Sequence, residues 1–195
     1  MSYKKIIILP ALFILSTMVY IGCCKCDDVL EFSEYKNFIV RAYGSGGAII
    51  DTGAITTTDT VFLQYTPQVN CVAVQKSSLT FLGNETYACK CVGCGRSGLK
   101  HKVVSIKISS DSIYNGVPAD MPLNNFFKAQ LYFGTSSIAI DSLVNIINSR
   151  QVPYAPIIFH TSIKPSNSKR HLFKMEMSFQ NGNLLTTRSK RIVWL

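Results

Sequence analysis

Cysteine chemistry is the first thing the residue types allow. Seven cysteines, Cys23, Cys24, Cys26, Cys71, Cys89, Cys91 and Cys94, occupy a chain of 195 residues. The densest group is Cys89-Lys-Cys91-Val-Gly-Cys94. Its three thiolates, with Cys71 or His101 as a fourth ligand, are close enough in sequence to converge on one tetrahedral ion. It supplies only half of a double-cysteine zinc pattern, however, and zinc competes poorly where thiols are oxidised. With Cys23 set apart at the end of the leader, six remain, and an even set in an exported chain expects disulfides. Cys24, Cys26, Cys71, Cys89, Cys91 and Cys94 are the disulfide candidates, their connectivity left open, and no metal or cofactor is assigned. Cys24 and Cys26 are too close to bridge each other easily. A link from them to the 89–94 loop would stabilise by roughly 2–4 kcal/mol.

Other chemistry is sparser. Gly93-Cys-Gly95-Arg-Ser-Gly98 spells the dinucleotide fingerprint. That motif works only where a strand gives way to a helix whose N-terminus holds the pyrophosphate. Here it leads into a strand, so its glycines read as loop formers. His101, His160 and His171 are scattered, with no Asp or Glu beside them, and no G-x-S-x-G elbow is present. The 11 acidic residues form no evident pair for glycoside hydrolysis. No residue is therefore assigned a catalytic role. Binding or structural association is expected rather than an enzyme. A metal-binding protein built on Cys89, Cys91 and Cys94, and an envelope hydrolase assembled from loops, are the alternatives.

The first residues set an address. Lys4 and Lys5 precede an almost unbroken apolar run from Ile6 to Ile21, the layout of a secretory signal peptide. The run is short for a membrane span, contains Pro10 and is followed by Cys-Cys-Lys-Cys-Asp-Asp rather than a positive cluster. It ends at Tyr20-Ile21-Gly22-Cys23, which resembles a bacterial lipobox, with Tyr20 replacing the usual Leu. That resemblance implies lipidation of Cys23 after cleavage, and acyl chains worth roughly 0.8 kcal/mol per buried CH2 would hold the protein on a membrane. The expected organisation is a lipoprotein signal peptide over 1–22, the lipidated Cys and a tether over 23–34, and one domain over 35–195.

This leader, the Cys-Lys-Cys-Asp-Asp start and the strand-rich body together resemble small cell-envelope lipoproteins of unknown function from Bacteroidota. The resemblance implies an all-β fold and a lipid-anchored place in the outer membrane. Asp27-Asp28 is similar to the acidic signals that send such lipoproteins to the cell surface. Asp59-Thr60-Val61, Asp111-Ser112-Ile113 and Asp141-Ser142-Leu143 match the short pattern that is O-glycosylated in that phylum.

Net charge is +9, with basic residues gathered at Arg96 to Lys107, Lys164 to Lys174 and Arg188 to Arg191. A solvated face explains much of this. The partners expected are the membrane through the anchor and an envelope protein or acidic glycan, with no nucleic acid.

The elements that must position these residues read as short strands. Asp27 to Glu34 is expected as tether. Asn37 to Tyr43 alternates, with Phe38, Val40 and Ala42 on one face. Val61 to Thr66 alternates too and is expected to stop at Pro67, which lacks a ladder donor. Val69 to Val74 and Leu79 to Leu82 follow. Lys102 to Ser109 sets Val104, Ile106 and Ile108 against Val103, Ser105 and Lys107. Leu123 to Phe127 suits one helical turn, and Ala129, Leu131 and Phe133 a strand. Ser142 is expected to cap a short helix running to Asn148, with Leu143, Ile146 and Ile147 on one side. Ile157 to Ile163 is a strand ended by Pro165. Leu172 to Phe179 and Leu184 to Trp194 form a hairpin, its Asn181-Gly182 read as a type I′ turn. Trp194 is expected to pack at an edge. The whole reads as an antiparallel, immunoglobulin-like β-sandwich with one short helix.

Overall fold

The computed structural model describes residues 29–45, 47, 49, 55–56, 60–75, 95, 97–131, 136–149 and 155–194. The leader, the Leu79 to Leu82 strand and Phe133 lie outside them. The chain divides into two compact units, Met1–Leu30 with Ala73–Gly93, and Glu31–Val72 with Cys94–Leu195. Of the first, only the strand residues 29–30 and 73–75 are described. All that follows concerns the second and those strand residues.

The fold is all-β and sandwich-like, built of antiparallel sheets with one short α-helix among the described residues. Its elements are β1 (Val29–Gly44), β2 (Ile55–Thr56), β3 (Val61–Gln75), β4 (Val103–Ser110), β5 (Lys128–Gln130), α1 (Ile140–Ser149), β6 (Ile157–Thr161), β7 (Arg170–His171), β8 (Phe173–Phe179), β9 (Leu184–Arg188) and β10 (Ile192–Trp194). They pair as three sheets, ordered β1-β3-β6-β5, β2-β10-β7 and β4-β8-β9. The one strand pair that runs parallel in these registers is β2 with β10.

Alternation explains most of the packing. Phe173, Met175, Met177 and Phe179 of β8 point inward and the residues between them outward. In β1, Phe38 and Ala42 are buried, while Ile39 is 47% exposed. The helix buries Ile140, Leu143 and Ile147, positions that share one face at a 3.6-residue period. One continuous core joins the three sheets and α1, running through Phe38, Leu63, Phe159, Leu143, Ile106, Met175, Ile192 and Trp194. Its densest part is aromatic. Tyr114 packs edge-on against Phe126, His171 and Phe173, and Phe173 against Trp194.

Several expectations are corrected. Residues 29–34 are strand rather than tether: Ser33 is buried, its N–H donates to Gly98 O (2.8 Å) and its carbonyl accepts from Lys100 N–H (2.9 Å). Pro67 does not end β3. It lies beyond Tyr65, the last residue paired with β6, so no ladder donor is required on that side. In β4 a bulge sets Val103 opposite Phe179 and Ser105 opposite Ser178. Two residues there span one on the partner strand, so Val103 turns inward and Val104 is 61% exposed. Helix α1 begins at Ile140, and Ser142 sits inside it rather than at its cap. The long final run breaks at Ser189-Lys190-Arg191, where the chain leaves β8 to pair β10 with β7. This carries Trp194 into the core at 2% exposure.

The two Asn-Gly pairs exchange roles. Tyr114 and Val117 exchange N–H···O bonds of 3.0 Å around Asn115 (φ 49) and Gly116 (φ 84), the two-residue type I′ loop. At the β8–β9 hairpin, Gly182 N–H donates to Phe179 O and Phe179 N–H to Asn183 O. Only Gly182 has positive φ there. That loop has three residues, a turn followed by a left-handed glycine.

Candidate functional site

Among the expected site residues, Cys71 is described: it is exposed on β3 and disulfide-bonded. Cys23, Cys24, Cys26, Cys89, Cys91 and Cys94 lie outside the described residues. Those residues contain no group of three or more metal-ligating side chains, and no helix among them is long and apolar enough to cross a membrane.

The histidines go to three different places. His101 lines a small cavity of about 40 Å3 with Glu34, Tyr35 and Phe179, room for no more than a few waters. His160, half-buried on β6, contacts Phe62 and hydrogen-bonds Ser137 Oγ through Nε2 (2.9 Å). Burial, then the nearby Lys128 charge, lowers its pKa. His171 is fully buried. Its Nε2 lies 2.7 Å from Ser168 O and its Nδ1 2.8 Å from Ser110 Oγ. The carbonyl can only accept, so Nε2 carries the proton and Nδ1 accepts from the serine hydroxyl. Burial lowers the His171 pKa, opposed by the bond to Ser168 and by the Asp111 charge. A serine beside a histidine suggests nucleophilic chemistry. Here Ser110 is 2% exposed, both ring nitrogens are occupied and Tyr114 closes the neighbouring space. The pair fastens β4 to β7.

One residue further on, the same strand end opens onto a charged cleft of about 240 Å3, lined by Asp111, Asp120, Leu172, Lys174, Arg188 and Arg191. Each side chain is there for a local reason. Lys174 stands on the outward face of β8, between the buried Phe173 and Met175. Register places Arg188 of β9 directly opposite it. Asp111 is held at the end of β4, where its Oδ1 accepts Leu172 N–H (2.8 Å) and its Oδ2 lies 3.6 Å from Arg191 Nη2. Asp120 has a left-handed backbone (φ 62), and its N–H donates to Ser110 O (2.7 Å). That conformation delivers its carboxylate to Lys174 Nζ at 3.1 Å.

The charges are unevenly matched. Lys174, only 18% exposed, is bound by Asp120 and by Glu176 at 3.3 Å. Hydrogen bonding to Asp120, with further help from Glu176, raises its pKa. Arg191 meets Asp111 at a loose 3.6 Å and is 55% exposed. Arg188 has no ion pair among the described residues. Like charges directly opposite each other across an antiparallel pair destabilise it. The Lys174–Arg188 pair is therefore a local violation of sheet rules, softened only on the lysine side.

Sequence reading found the basic stretches Lys164 to Lys174 and Arg188 to Arg191 but not their convergence. It also missed Asp111 and Asp120 as cleft residues. The available signal was the hairpin register, which the loop length decides. No protein-family model, curated protein or solved structure matches this chain.

Proposed function

We propose that this protein is a lipid-anchored cell-envelope lipoprotein that works by binding rather than by catalysis, through the charged cleft at the ends of β4, β8 and β9. The observation that carries the binding half is Arg188, an exposed guanidinium with no ion pair among the described residues, set opposite a second cation in a cleft. The anchoring half rests on the sequence: Lys4-Lys5, the apolar run to Ile21 and Gly22-Cys23. Lipid on Cys23 would attach the chain to the outer membrane, with Asp27-Asp28 favouring its outer face. The disulfide at Cys71 fits an oxidising compartment. Short mixed-charge clefts of this kind suit recognition of a small charged group, whereas the Ser110–His171 pair has no access for a substrate.

Metabolic labelling tests the anchor. The full chain, expressed in a bacterial host with an alkyne-tagged fatty acid, is expected to take up label and to sediment with membranes. Cys23→Ser is expected to lose both properties. Label retained in that variant would overturn the anchoring site. Intact mass without reduction, short by two hydrogens per bridge and free of metal, is expected for the cysteines. Free thiols with one bound zinc would move the account to Cys89, Cys91 and Cys94.

A further inference from the structure

The cleft carries more information than its charge. It holds three cations, Lys174, Arg188 and Arg191, and two carboxylates, Asp111 and Asp120, with only Leu172 as apolar lining. A polyanion such as nucleic acid would meet the two carboxylates as like charges. A neutral sugar would leave the Lys174–Arg188 opposition in place. A purely apolar ligand would strip water from five charged groups without replacing it. One chemistry satisfies every group: a single oxyanion between Arg188 and Lys174, carried on a body whose hydroxyls donate to the Asp120 and Asp111 carboxylates.

We propose, building on the binding role inferred above, that the cleft takes the acidic sugar unit of a glycan. The anionic substituent sits against Arg188, and ring hydroxyls bond Asp120, which is 70% exposed. The guanidinium fork matches a carboxylate, sulfate or phosphate with two parallel hydrogen bonds. Arg191, tied to Asp111 only at 3.6 Å, is free to swing in as a second donor. The volume of about 240 Å3 falls below the roughly 300 Å3 of pockets that enclose drug-sized ligands. It admits one sugar unit from an open side, so the rest of the chain stays outside. Selectivity arises from the mixture: the cations require the acid, and the carboxylates require hydroxyls beside it.

Calorimetric titration of the full-length protein, reconstituted in phosphatidylcholine nanodiscs, tests this with four probes. These are tetragalacturonate, its methyl ester, inorganic sulfate and vesicles of anionic phosphatidylglycerol. The acid is expected to bind on the order of tenfold or more tightly than the ester, more weakly as salt rises, and sulfate is expected to compete. Arg188→Ala is expected to weaken the acid by about tenfold or more with an unchanged unfolding transition. Arg188→Glu is expected to abolish binding. Equal affinity for ester and acid, or unchanged binding by Arg188→Ala, overturns the proposal. Arg188-dependent binding to the vesicles without binding to the acid also overturns it, and reassigns the cleft to lipid headgroups. Lipid labelling at Cys23 is read separately, so loss of the anchor and loss of the ligand are distinguishable.

Discussion

At the end of β4 the chain turns one polar side chain inward and the next outward, and the two regions they enter follow opposite rules. Ser110 joins His171 in an interior where both imidazole nitrogens are bonded and aromatic rings fill the surroundings. Asp111 faces a cleft where cations oppose each other, one carboxylate is mostly exposed and one guanidinium has no ion pair among the described residues. In the first region the imidazole is fully hydrogen-bonded and access is nil. In the second, access is open and satisfaction incomplete. A residue pair that resembles catalytic machinery is thus structural, while side chains with no motif among them form the better candidate for recognition. β8 repeats the lesson within two residues, sending Phe173 into the interior and Lys174 into the cleft.

If this contrast is correct, variants of the interior lose stability and variants of the cleft lose binding. Phe173→Ala removes a fully buried ring packed on Tyr114, Phe127, His171 and Trp194. It is expected to cost ~3–5 kcal/mol in denaturant unfolding. Ser110→Ala leaves the His171 Nδ1 without its donor, and a loss of ~1–3 kcal/mol is expected from the same measurement.

His171 also predicts the pH response. Burial holds its pKa below the usual 6.5, so near that pH the folded protein binds fewer protons than the unfolded chain. Its contribution is complete above 6.5 and is lost as pH falls through the lowered value. His160 shifts in the same direction. Urea midpoints are expected to be lower at about pH 5 than at about pH 7.5, and His171→Phe is expected to reduce that difference. A midpoint that rises on acidification would contradict the buried neutral tautomer.

Two smaller effects refine the comparison. Gly182→Ala forces a side chain into φ +83, although a Cβ there meets nothing within 4 Å. Only backbone strain remains, about 1–2 kcal/mol by thermal unfolding. Arg188→Ala is expected to change stability by less than about 0.5 kcal/mol, or to raise it slightly by relieving Lys174. A large destabilisation from this variant would make the cleft structural and dissolve the contrast.

The interior was largely legible in the sequence, and the cleft was not. Two-residue alternation marks Phe38 and Ala42 in β1, Leu63 and Tyr65 in β3, and Met175 and Met177 in β8. Helical spacing likewise marks Leu143 and Ile147. Periodicity reports which face is apolar but not which outward side chains meet. With a two-residue loop at Asn181-Gly182, Lys174 would oppose Ser189; the observed three-residue loop moves it opposite Arg188. Asn-Gly does not by itself choose between the two loops, because each needs a left-handed glycine. Asp120 was hidden for a different reason: it comes from a turn outside any strand, and its carboxylate reaches Lys174 through a non-glycine left-handed backbone.

The bulge at Val103–Ser105 has a consequence at the other end of its strand. Beyond it, Ile106, Ile108 and Ser110 face the interior. Were Val104 paired as an ordinary strand residue, alternation from Val103 would put Ser105, Lys107, Ser109 and Asp111 inward and would turn Ser110 out toward the cleft. The bulge therefore sets the phase of positions roughly 20 Å away at about 3.3 Å per residue. The identity of Val104 matters little at 61% exposure, but looping it out of the ladder decides whether the carboxylate or the hydroxyl reaches solvent. Deleting that one exposed valine would leave Val103 and Ser105 opposite consecutive partners and the same side chains inside, whereas straightening the bulge with Val104 retained would exchange the inside and outside of the strand.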